Sequence, residues 1–492
     1  MAAVRFPLYR LEGRVTLYQA DDGALRLEGA RLRGLEALLL GRSPQDAVFL
    51  VQRLSADTGV SHALASVMAW ENAGGTGVSH NGALLRDLLH ALSWAHAHLR
   101  QFYQQALPDY IPPAALSGYR GAQEALRRVA AGFGQRPEAR WAAVGFPHPF
   151  SAAEVERLWA NALRVQRALG LLQRMMAVVG GKYPVVMSLV PGGVTAAISR
   201  ETVFRLQTHL REVRALLGDA PFEDGRLVVR RHQELLEGGR GPRGLISAGT
   251  LGDEAGPGAS LFPSGVFLGE KLEPFRGAIT ESVHAAYYDL PSRETARGLL
   301  QPAPDKPGAH SWIKAPRYQE QVVETGAVAR LAITHLSGAR SEWAQEVAAV
   351  ENALGMRIRQ ANTTAGRLLA RLAEVPLLLQ RCEQALHQLA PGNPAVAENA
   401  RDLPAEGEGR AALESPAGTL VHRLALERGR IAYYDIVSAS TWNGSPADAR
   451  GAAGAIEVAL NRAPPDLATA EGRRAASRIV HSFFFSAADA AQ

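Results

Sequence analysis

The sequence contains almost no cysteine. Its 492 residues include a single one, Cys382, in the helical pattern LLLQRCEQAL. One cysteine cannot form an intrachain disulfide, and it cannot build a cysteine-based zinc or iron–sulfur site. The helical setting is typical of a buried packing residue. Disulfide content therefore says nothing about the compartment, and a metal site with several thiolates is excluded within the chain.

The sequence also lacks a long apolar run. No stretch reaches the roughly 18 uninterrupted apolar residues typical of a membrane-spanning helix. The longest apolar helical segment, LGLLQRMMAVVGG, is interrupted by Gln173 and Arg174. The N-terminus, MAAVRFPLYRLEGR, has no apolar core of a signal peptide. We therefore expect no membrane-spanning helix and no secretion signal in this chain.

A strong net charge is absent as well. The formal net charge is +5, and the arginines are scattered through helical patterns with no basic run. Nucleic acid is therefore not an expected partner. Apolar residues make up 47% and charged residues 21%, which is typical of a globular protein. The length permits one large core or two to three domains.

Two segments predict β-hairpins. RVTLYQADDGALRLEGARL alternates in polarity on either side of Asp21-Asp22-Gly23. GTLVHRLALERGRIAYYDIVS does the same around a turn at residues 427–429. These segments place an N-terminal hairpin within residues 10–31 and a C-terminal hairpin with the closing tail in residues 418–492.

Helical periodicity dominates the remaining sequence. Helices are predicted at about 61–103, 152–180, 199–217 and 340–390, with the second ending at Gly180-Gly181 and the last kinked or broken at Pro376. Residues 239–312 are rich in Gly and Pro and predict packed irregular loops with short strands. The pattern indicates a mainly α (α+β) fold in one unit, 1–492, with its helical core in 60–217 and 340–390.

The chain closes with HSFFFSAADAAQ. A charged or disordered tail is the usual end of a soluble domain. Three consecutive phenylalanines followed by small residues indicate a buried segment.

Seven strings, in order, carry a resemblance to a known family. They are YRLEGR (9–14), LRGLEALLLGRSPQDAVFLVQRL (32–54), SHALASVMAWENA (61–73), GGKYPVVMSLVPGGVT (180–195), KAPRYQEQVVETGAVARL (314–331), STWNGSPADARG (440–451) and VHSF (480–483). Together they resemble the large subunit of nickel–iron hydrogenases, from about Phe6 to Gln492. The resemblance implies a central bundle of long helices with small peripheral β-hairpins and sheets, and a metal site where N- and C-terminal loops meet.

The ligands that the resemblance implies are missing. The family holds nickel and iron with two Cys-x-x-Cys pairs, because these metals are bound there by soft thiolates. Ser55 and Thr58 stand at the first pair, and Ser486 and Asp489 at the second. One carboxylate and three alcohols are a poor nickel site. The sequence therefore predicts no nickel–iron cofactor and no hydrogen cleavage by the family mechanism.

Two charged positions near the implied metals have also become alanine. Ala417 stands where the family has an arginine, and Ala97, in His96-Ala97-His98, where it often has an aspartate. Loss of a metal removes the reason to bury charges beside it. Phe484 and Phe485 replace the family's Asp-Pro and are expected to help fill the space.

Some family positions remain. Glu12 matches a glutamate that passes protons in the family, and His62 matches a histidine near a cysteine sulfur. Glu12 can equally be a buried carboxylate bonded to backbone amides, and His62 can simply bond to Ser55 or to backbone. Both alternatives stay open.

Oxygen ligands suggest two weaker metal hypotheses. Glu36 matches a family magnesium ligand, and Gln492 stands at its histidine partner, where an amide oxygen could still bind a hard cation. Glu12, Asp57 and Asp489 could converge on Mg, Ca or Mn if the fold is kept. The competing interpretations are a plain Glu36 hydrogen bond and a hydrogen-bonded or phenylalanine-filled interior.

Three functions remain open. The first is a large-subunit homologue without catalysis that pairs with an iron–sulfur small subunit, as a heterodimer or higher oligomer, in electron transfer or as a structural shell. The second is an accessory scaffold for hydrogenase cofactor assembly, and the third is an enzyme with new chemistry in the old pocket. The compartment is open too: cytoplasmic, or exported or membrane-associated through a partner's signal. Because the sequence stops at Gln492, where family precursors continue, we expect no processing of the tail.

Overall fold

The computed structural model describes residues 4–29, 31–133, 145–251, 260–289, 300–338, 343–401 and 404–491. Its helices are α1 (Leu35–Leu39), α2 (Pro44–Leu50), α3 (Gly59–Gly74), α4 (His80–Arg100), α5 (Glu124–Phe133), α6 (Ala152–Gly180), α7 (Arg200–Leu217), α8 (Ala220–Arg231), α9 (Ala327–Ser337), α10 (Ala344–Leu354), α11 (Thr364–Gln388), α12 (Ala439–Asn443), α13 (Ala455–Asn461), α14 (Ala470–Ser482) and α15 (Ala487–Ala490).

The strands are short, and most lie outside the helical centre. They are β1 (Arg5–Leu8), β2 (Val15–Gln19), β3 (Leu25–Gly29), β4 (Leu189–Val190), β5 (Gly193–Val194), β6 (Gly244–Ser247), β7 (Gly265–Leu268), β8 (Lys271–Glu273), β9 (Ile279–Ser282), β10 (Tyr288–Asp289), β11 (Gln301–Pro302), β12 (Ala315–Tyr318), β13 (Val323–Thr325), β14 (Gly407–Ser415), β15 (Gly418–Glu427) and β16 (Arg430–Val437).

The centre of the fold is a set of long helices. Helix α4 packs along α11, and α6 packs against both α4 and α7. Helix α6 begins at a capping box, in which Ser151 Oγ accepts from the Glu154 amide and the Glu154 carboxylate accepts from the Ser151 amide. The predicted helix at 152–180 is therefore confirmed at both ends.

Of the kink or break predicted at Pro376, the break does not occur. Pro376 lies inside it, and the helix runs through from Thr364 to Gln388 without a break. A proline removes one backbone donor and crowds the preceding turn. Packing of α11 against α4, α8, α9 and α10 is what keeps this segment helical.

Both predicted hairpins are present, and each gains a strand. β1 pairs with β2 to extend the N-terminal hairpin, and β14 pairs with β15 to extend the C-terminal one, all antiparallel. The Gly- and Pro-rich region 239–312 contributes β6, β7 and β8 to a four-stranded sheet in which β6 runs parallel to β13. Parts of that region, 252–259 and 290–299, lie outside the described residues.

The ends of the chain meet on one side of the helices. The N-terminal sheet, α13, α14 and the tail share an apolar cluster that includes Leu17, Leu27, Val480 and Phe485. Within the described ranges, no helix is both long enough and apolar enough to cross a membrane. The closing segment is thus part of the core, and it lies beside the N-terminal loop.

The contact between α3 and β14 gives a stability prediction. A Cβ added to Gly409 would lie 1.8 Å from the backbone oxygen of Ala69, so helix and strand must separate to accommodate it. We expect Gly409→Ala to lower the free energy of unfolding by at least about 2 kcal/mol, measured by chemical denaturation. Gly170→Ala is the matched control, because that Cβ meets no atom within 4 Å. Equal stability of the two variants would contradict the close approach.

Candidate functional site

The loop after α2 holds two of the positions where the resemblance places cysteines. Ser55 Oγ accepts hydrogen bonds from the amides of Asp57 (3.2 Å) and Thr58 (3.3 Å), which closes the loop on itself. Both Ser55 and Thr58 are buried. Thr58 Oγ1 has no hydrogen-bond partner among the described residues. In contrast, Ser55 Oγ accepts from two backbone amides of its own loop.

Glu12 joins this loop to the tail. Its Oε1 accepts from the Ala56 amide at 3.1 Å, and its Oε2 accepts from Ser486 Oγ at 3.3 Å. Ser486 Oγ in turn accepts from the Asp489 amide at 3.2 Å, which starts α15. Burial, with the nearby charge of Asp57, raises the pKa of Glu12. Glu12 thus acts structurally as a bridge between the two loops.

Asp57 pairs with an arginine of α4. Arg100, the last residue of α4, donates from Nε to Asp57 Oδ1 at 2.7 Å and makes a second contact through Nη2. Burial raises the pKa of Asp57, and the Arg100 guanidinium opposes that shift. The Arg100 Nη2 atom also lies 3.7 Å from Glu12 Oε1. One cation therefore serves two of the three predicted carboxylates.

The third carboxylate belongs to a different hydrogen-bond chain. Asp489 Oδ1 lies 2.8 Å from His62 Nε2, and His62 Nδ1 lies 3.0 Å from His422 Nε2. His422 Nδ1 then lies 2.8 Å from Tyr434 Oη, which donates to Ser66 Oγ at 2.9 Å. All five side chains are buried, so the chain links the tail to the β15–β16 hairpin and to α3.

Both ring nitrogens of His62 have a side-chain partner in this chain, Asp489 on one side and His422 on the other. Burial lowers the pKa of His422 well below its usual value. A carboxamide at position 489 keeps one oxygen and adds an N–H donor, so it can bond to His62 Nε2 in either tautomer of the ring.

Phe484 occupies the space that the two alanines leave. Its ring belongs to a small apolar cluster with Ala97, Ala417 and Ala439. The guanidinium carbon of Arg371 lies 5.2 Å from the ring centre. The backbone of Phe484 is left-handed, with φ of 58°, which is uncommon for a residue other than glycine. An aromatic ring thus lies where the resemblance implies an arginine and an aspartate.

The other two phenylalanines point elsewhere. Phe483 and Phe485 lie in the cluster of the N-terminal sheet. The Arg367 guanidinium stacks 3.5 Å from the Phe483 ring centre. A Cβ added to Gly444 would lie 2.3 Å from the Phe485 ring, so this ring packs against the turn after α12. Of the two phenylalanines expected to fill the pocket, Phe484 does so, whereas Phe485 packs the tail against the turn after α12.

A buried ion network supports the loop that carries Ala417. Arg330 donates to Glu374 (2.8 and 2.9 Å) and to Glu414 (2.9 Å), and also to the carbonyls of Ser415 and Pro416. Burial alone would raise the pKa of Glu374, but Arg330 and the other group that hydrogen-bonds to Glu374 lower it to about 2. This network holds the loop that carries Ala417 in place through its backbone carbonyls.

The predicted magnesium position carries an ammonium group. Lys314 Nζ lies 3.0 Å from Glu36 Oε1, 3.0 Å from a Glu281 oxygen and 3.1 Å from Asp435 Oδ1. Glu36 Oε1 also accepts from the Ile436 amide at 3.0 Å. Gln492 lies outside the described residues. The Glu36 carboxylate therefore shares one ammonium group with two other carboxylates.

The donor atoms do not fit a nickel–iron centre. The positions 55, 58, 486 and 489 offer three alcohols and one carboxylate, whereas such a centre needs soft thiolate ligands. Cys382 is buried in α11, and burial raises the pKa of its thiol. Across the described ranges, no three His, Cys, Asp or Glu side chains converge as a metal site. Glu12 and Asp57 share the Arg100 guanidinium, whereas Asp489 bonds to His62.

Comparison with known proteins identifies the family. A model of nickel-dependent hydrogenases matches residues 33–138 and 156–485. The chain belongs to the nickel-dependent hydrogenase family. The large subunit of the periplasmic NiFeSe hydrogenase of Desulfomicrobium baculatum is 28% identical, over 94% of this chain and 89% of its own. The hydrogenase-1 large chain of Escherichia coli K12 is 27% identical, over 92% and 88%.

Solved hydrogenase structures have the same fold. The reduced Ni-Fe-Se hydrogenase of Desulfovibrio vulgaris Hildenborough superposes with a TM-score of 0.86, covering 100% of both chains at 25% identity. A Desulfomicrobium baculatum NiFeSe hydrogenase gives 0.84 at 26% identity, also over the full lengths. The predicted family and the helical α+β fold are both confirmed.

Family membership located the site, but its local partners came only from the structure. Arg100, His422 and Lys314 are each far in sequence from the residue they bind. No spacing rule points to them, since each contact depends on how the elements pack. For His62, by contrast, the spacing is informative: it lies one turn after Thr58 on α3, on the side of the helix that faces the tail.

The apolar cluster of Phe484 gives a second prediction. We expect Phe484→Ala to lower the free energy of unfolding by about 3–5 kcal/mol, because it leaves a cavity between Ala97 and Ala417. The control is Phe204→Ala, since Phe204 is 63% exposed and should change stability by less than about 0.5 kcal/mol. Chemical denaturation measures both. A small effect at Phe484 would mean that its ring fills no space.

The contact between Asp489 and His62 gives a third prediction. We expect Asp489→Asn to fold with a loss of less than about 1 kcal/mol, because the amide group can bond to His62 Nε2 in either tautomer. Asp489→Ala leaves a buried ring nitrogen without a partner and should cost about 1–3 kcal/mol more. Denaturation curves at neutral pH separate the two. If Asp489→Asn is as harmful as Asp489→Ala, the side chain at position 489 does not bond to His62.

Proposed function

We propose that this chain is a hydrogenase large-subunit homologue that holds no nickel–iron centre and does not cleave hydrogen. It acts as the large subunit of a complex with an iron–sulfur small subunit, in electron transfer or as a structural shell. The observation that carries the proposal is the coordinated change of the pocket: all four ligand positions lack sulfur, and Phe484 packs between Ala97 and Ala417.

The polar contacts of the old site support the loss of the metal. Ser55, Ser486 and Asp489 each bond to protein groups, and Glu12 connects their loops. A site kept for a metal would present these oxygens toward one point. Here they satisfy the backbone and His62, which is the arrangement expected of a buried polar interior without a cation.

The surface next to Glu12 supports a protein partner. Tyr9 is 66% exposed, and it stands three residues before Glu12. Met187 is 46% exposed, and it follows Val186, whose backbone pairs with the Gln52 side chain at 2.7 and 3.0 Å. Met187 therefore lies close to the loop after α2. We infer that its exposed side chain belongs to the surface that contacts the small subunit.

The relatives are themselves large subunits by name. Full-length coverage of such relatives is expected of a chain that retains the subunit's surface as well as its core. This argument favours the complex over a separate scaffold role. An iron–cyanide–carbonyl scaffold would also be expected to keep a thiol at the site, whereas Cys382 is buried in α11.

Purification from the native host tests the proposal. We expect the tagged full chain, isolated without oxygen, to carry an iron–sulfur protein at about one copy per chain and nickel at less than about 0.1 per chain. Met187→Arg should abolish that stoichiometry, because it buries a charge in the contact. Phe204→Arg is the matched control, since Phe204 is exposed on α7.

Other results would contradict the proposal in distinct ways. A monodisperse single chain would show that no small subunit binds. Stoichiometric nickel would show that the chain holds a nickel centre. Infrared bands of bound CO and cyanide would favour the assembly scaffold, and stoichiometric Mg or Mn would favour an oxygen-ligated enzyme.

A further inference from the structure

A cavity of about 860 Å³ lies where helices α7, α8, α10 and α11 meet. Its size is that of small-molecule sites in proteins, which often lie between helices. None of the positions 55, 58, 486 and 489 lines it. Asp219 and Pro376 on its wall are exposed, so the cavity opens to solvent. It is therefore a reachable site apart from the pocket that Phe484 fills.

Most of the wall is apolar. Side chains from three of the four helices cover it: Leu217, Pro221, Phe222, Leu372, Val375 and Leu379. A small inorganic ion would leave these side chains in contact with water. A ligand of this cavity therefore needs an apolar body that covers them.

Both arginines on the wall are already paired. Arg214 Nη1 lies 3.0 Å from Glu383 Oε2, and Arg226 Nη1 donates to Glu223 Oε1 at 2.7 Å. All four of these residues line the cavity. Each pair is neutral, so these residues give the wall no net charge.

Two further carboxylates on the wall have no such partner. Glu346, in the first turn of α10, and Asp219, just before α8, form no ion pair with any described residue. Asp219 is exposed to solvent, whereas Glu346 is half-buried. Burial raises the pKa of Glu346, and no neighbouring cation opposes that shift. The lining is therefore negative, and the Glu346 carboxylate is its unbalanced buried charge.

Helix α11 adds a backbone acceptor to the wall. Pro376 has no amide hydrogen, so the Leu372 carbonyl lacks the donor that an α-helix would give it. A helical carbonyl points along the axis toward the residue four positions later. Leu372, Val375 and Pro376 all line the cavity, so the helix surface that holds this carbonyl faces it. Since α10 packs against α11, the carbonyl and Glu346 lie on adjoining walls.

We propose that this cavity binds a primary organic ammonium with an apolar chain. The ammonium donates to the Glu346 carboxylate and to the Leu372 carbonyl, and the chain lies along the apolar wall. A primary ammonium fits because it carries one positive charge and three N–H donors, which is enough for both acceptors. The proposal does not depend on the function of the pocket at Phe484.

Calorimetric titration of the full chain with hexylammonium chloride tests the site. We expect saturable binding near one molecule per chain. Hexyltrimethylammonium should bind at least about fivefold more weakly, since it keeps the charge but has no N–H donor. Hexanol should bind at least about tenfold more weakly, because it carries no charge.

Two substitutions test the two acceptors separately. Glu346→Gln should weaken hexylammonium binding by about tenfold or more, because the side chain loses its charge. Pro376→Ala supplies the missing amide, which bonds to the Leu372 carbonyl within the helix. It should weaken hexylammonium binding to the level of hexyltrimethylammonium. Its free energy of unfolding should stay equal or rise, so a loss of binding cannot be a loss of folding.

The matched control is Glu201→Gln. Glu201 also lies in the first turn of a helix, α7, but it does not line this cavity. This variant should bind hexylammonium like the unmodified protein. Hexylammonium binding that equals hexanol binding, or that is unchanged in Glu346→Gln or in Pro376→Ala, would overturn the proposal. The absence of saturable hexylammonium binding would overturn it too.

Discussion

The architecture around the pocket that Phe484 fills depends on one buried guanidinium. Arg330 is fully enclosed, stacks 4.6 Å from the Trp94 ring, and satisfies two carboxylates and two carbonyls. A buried charge is tolerated only when all its partners are in place. Glu374 of α11, Glu414 of β14 and the loop leading to Ala417 must therefore keep fixed positions. This network holds the walls of the pocket.

Local rules predicted those parts of the fold whose causes are local. The hairpin turns followed from turn residues, and the end of helix α6 followed from its paired glycines. The sequence does not predict strand β14, GEGRAALES, because two glycines weaken its pattern and its pairing with β15 supplies the ladder. At Pro376 the sequence allows a kink or a break, and the helix is continuous, since tertiary packing outweighs the cost of one lost hydrogen bond.

The same distinction between local and long-range causes applies to the candidate site. Ordered motifs located Ser55, Thr58, Ser486 and Asp489, because a family's loops keep their sequence positions. They could not show that Asp489 faces His62, or that an ammonium stands beside Glu36, since those contacts join residues more than 270 positions apart in the chain. Ser55, Ser486 and Asp489 take part in hydrogen bonds within the protein. Sequence therefore located these positions, and packing shows their partners.

The left-handed turn at Phe484 affects how the three tail phenylalanines should be compared between related sequences. A glycine or asparagine would adopt that backbone more easily, so the position is held by the volume of its ring. The turn also sends the middle one of three adjacent phenylalanines to surroundings different from those of its two neighbours. A simple substitution table would treat positions 483, 484 and 485 as interchangeable. Their tolerance to change should instead differ sharply, because the middle ring packs against alanines from three other parts of the chain.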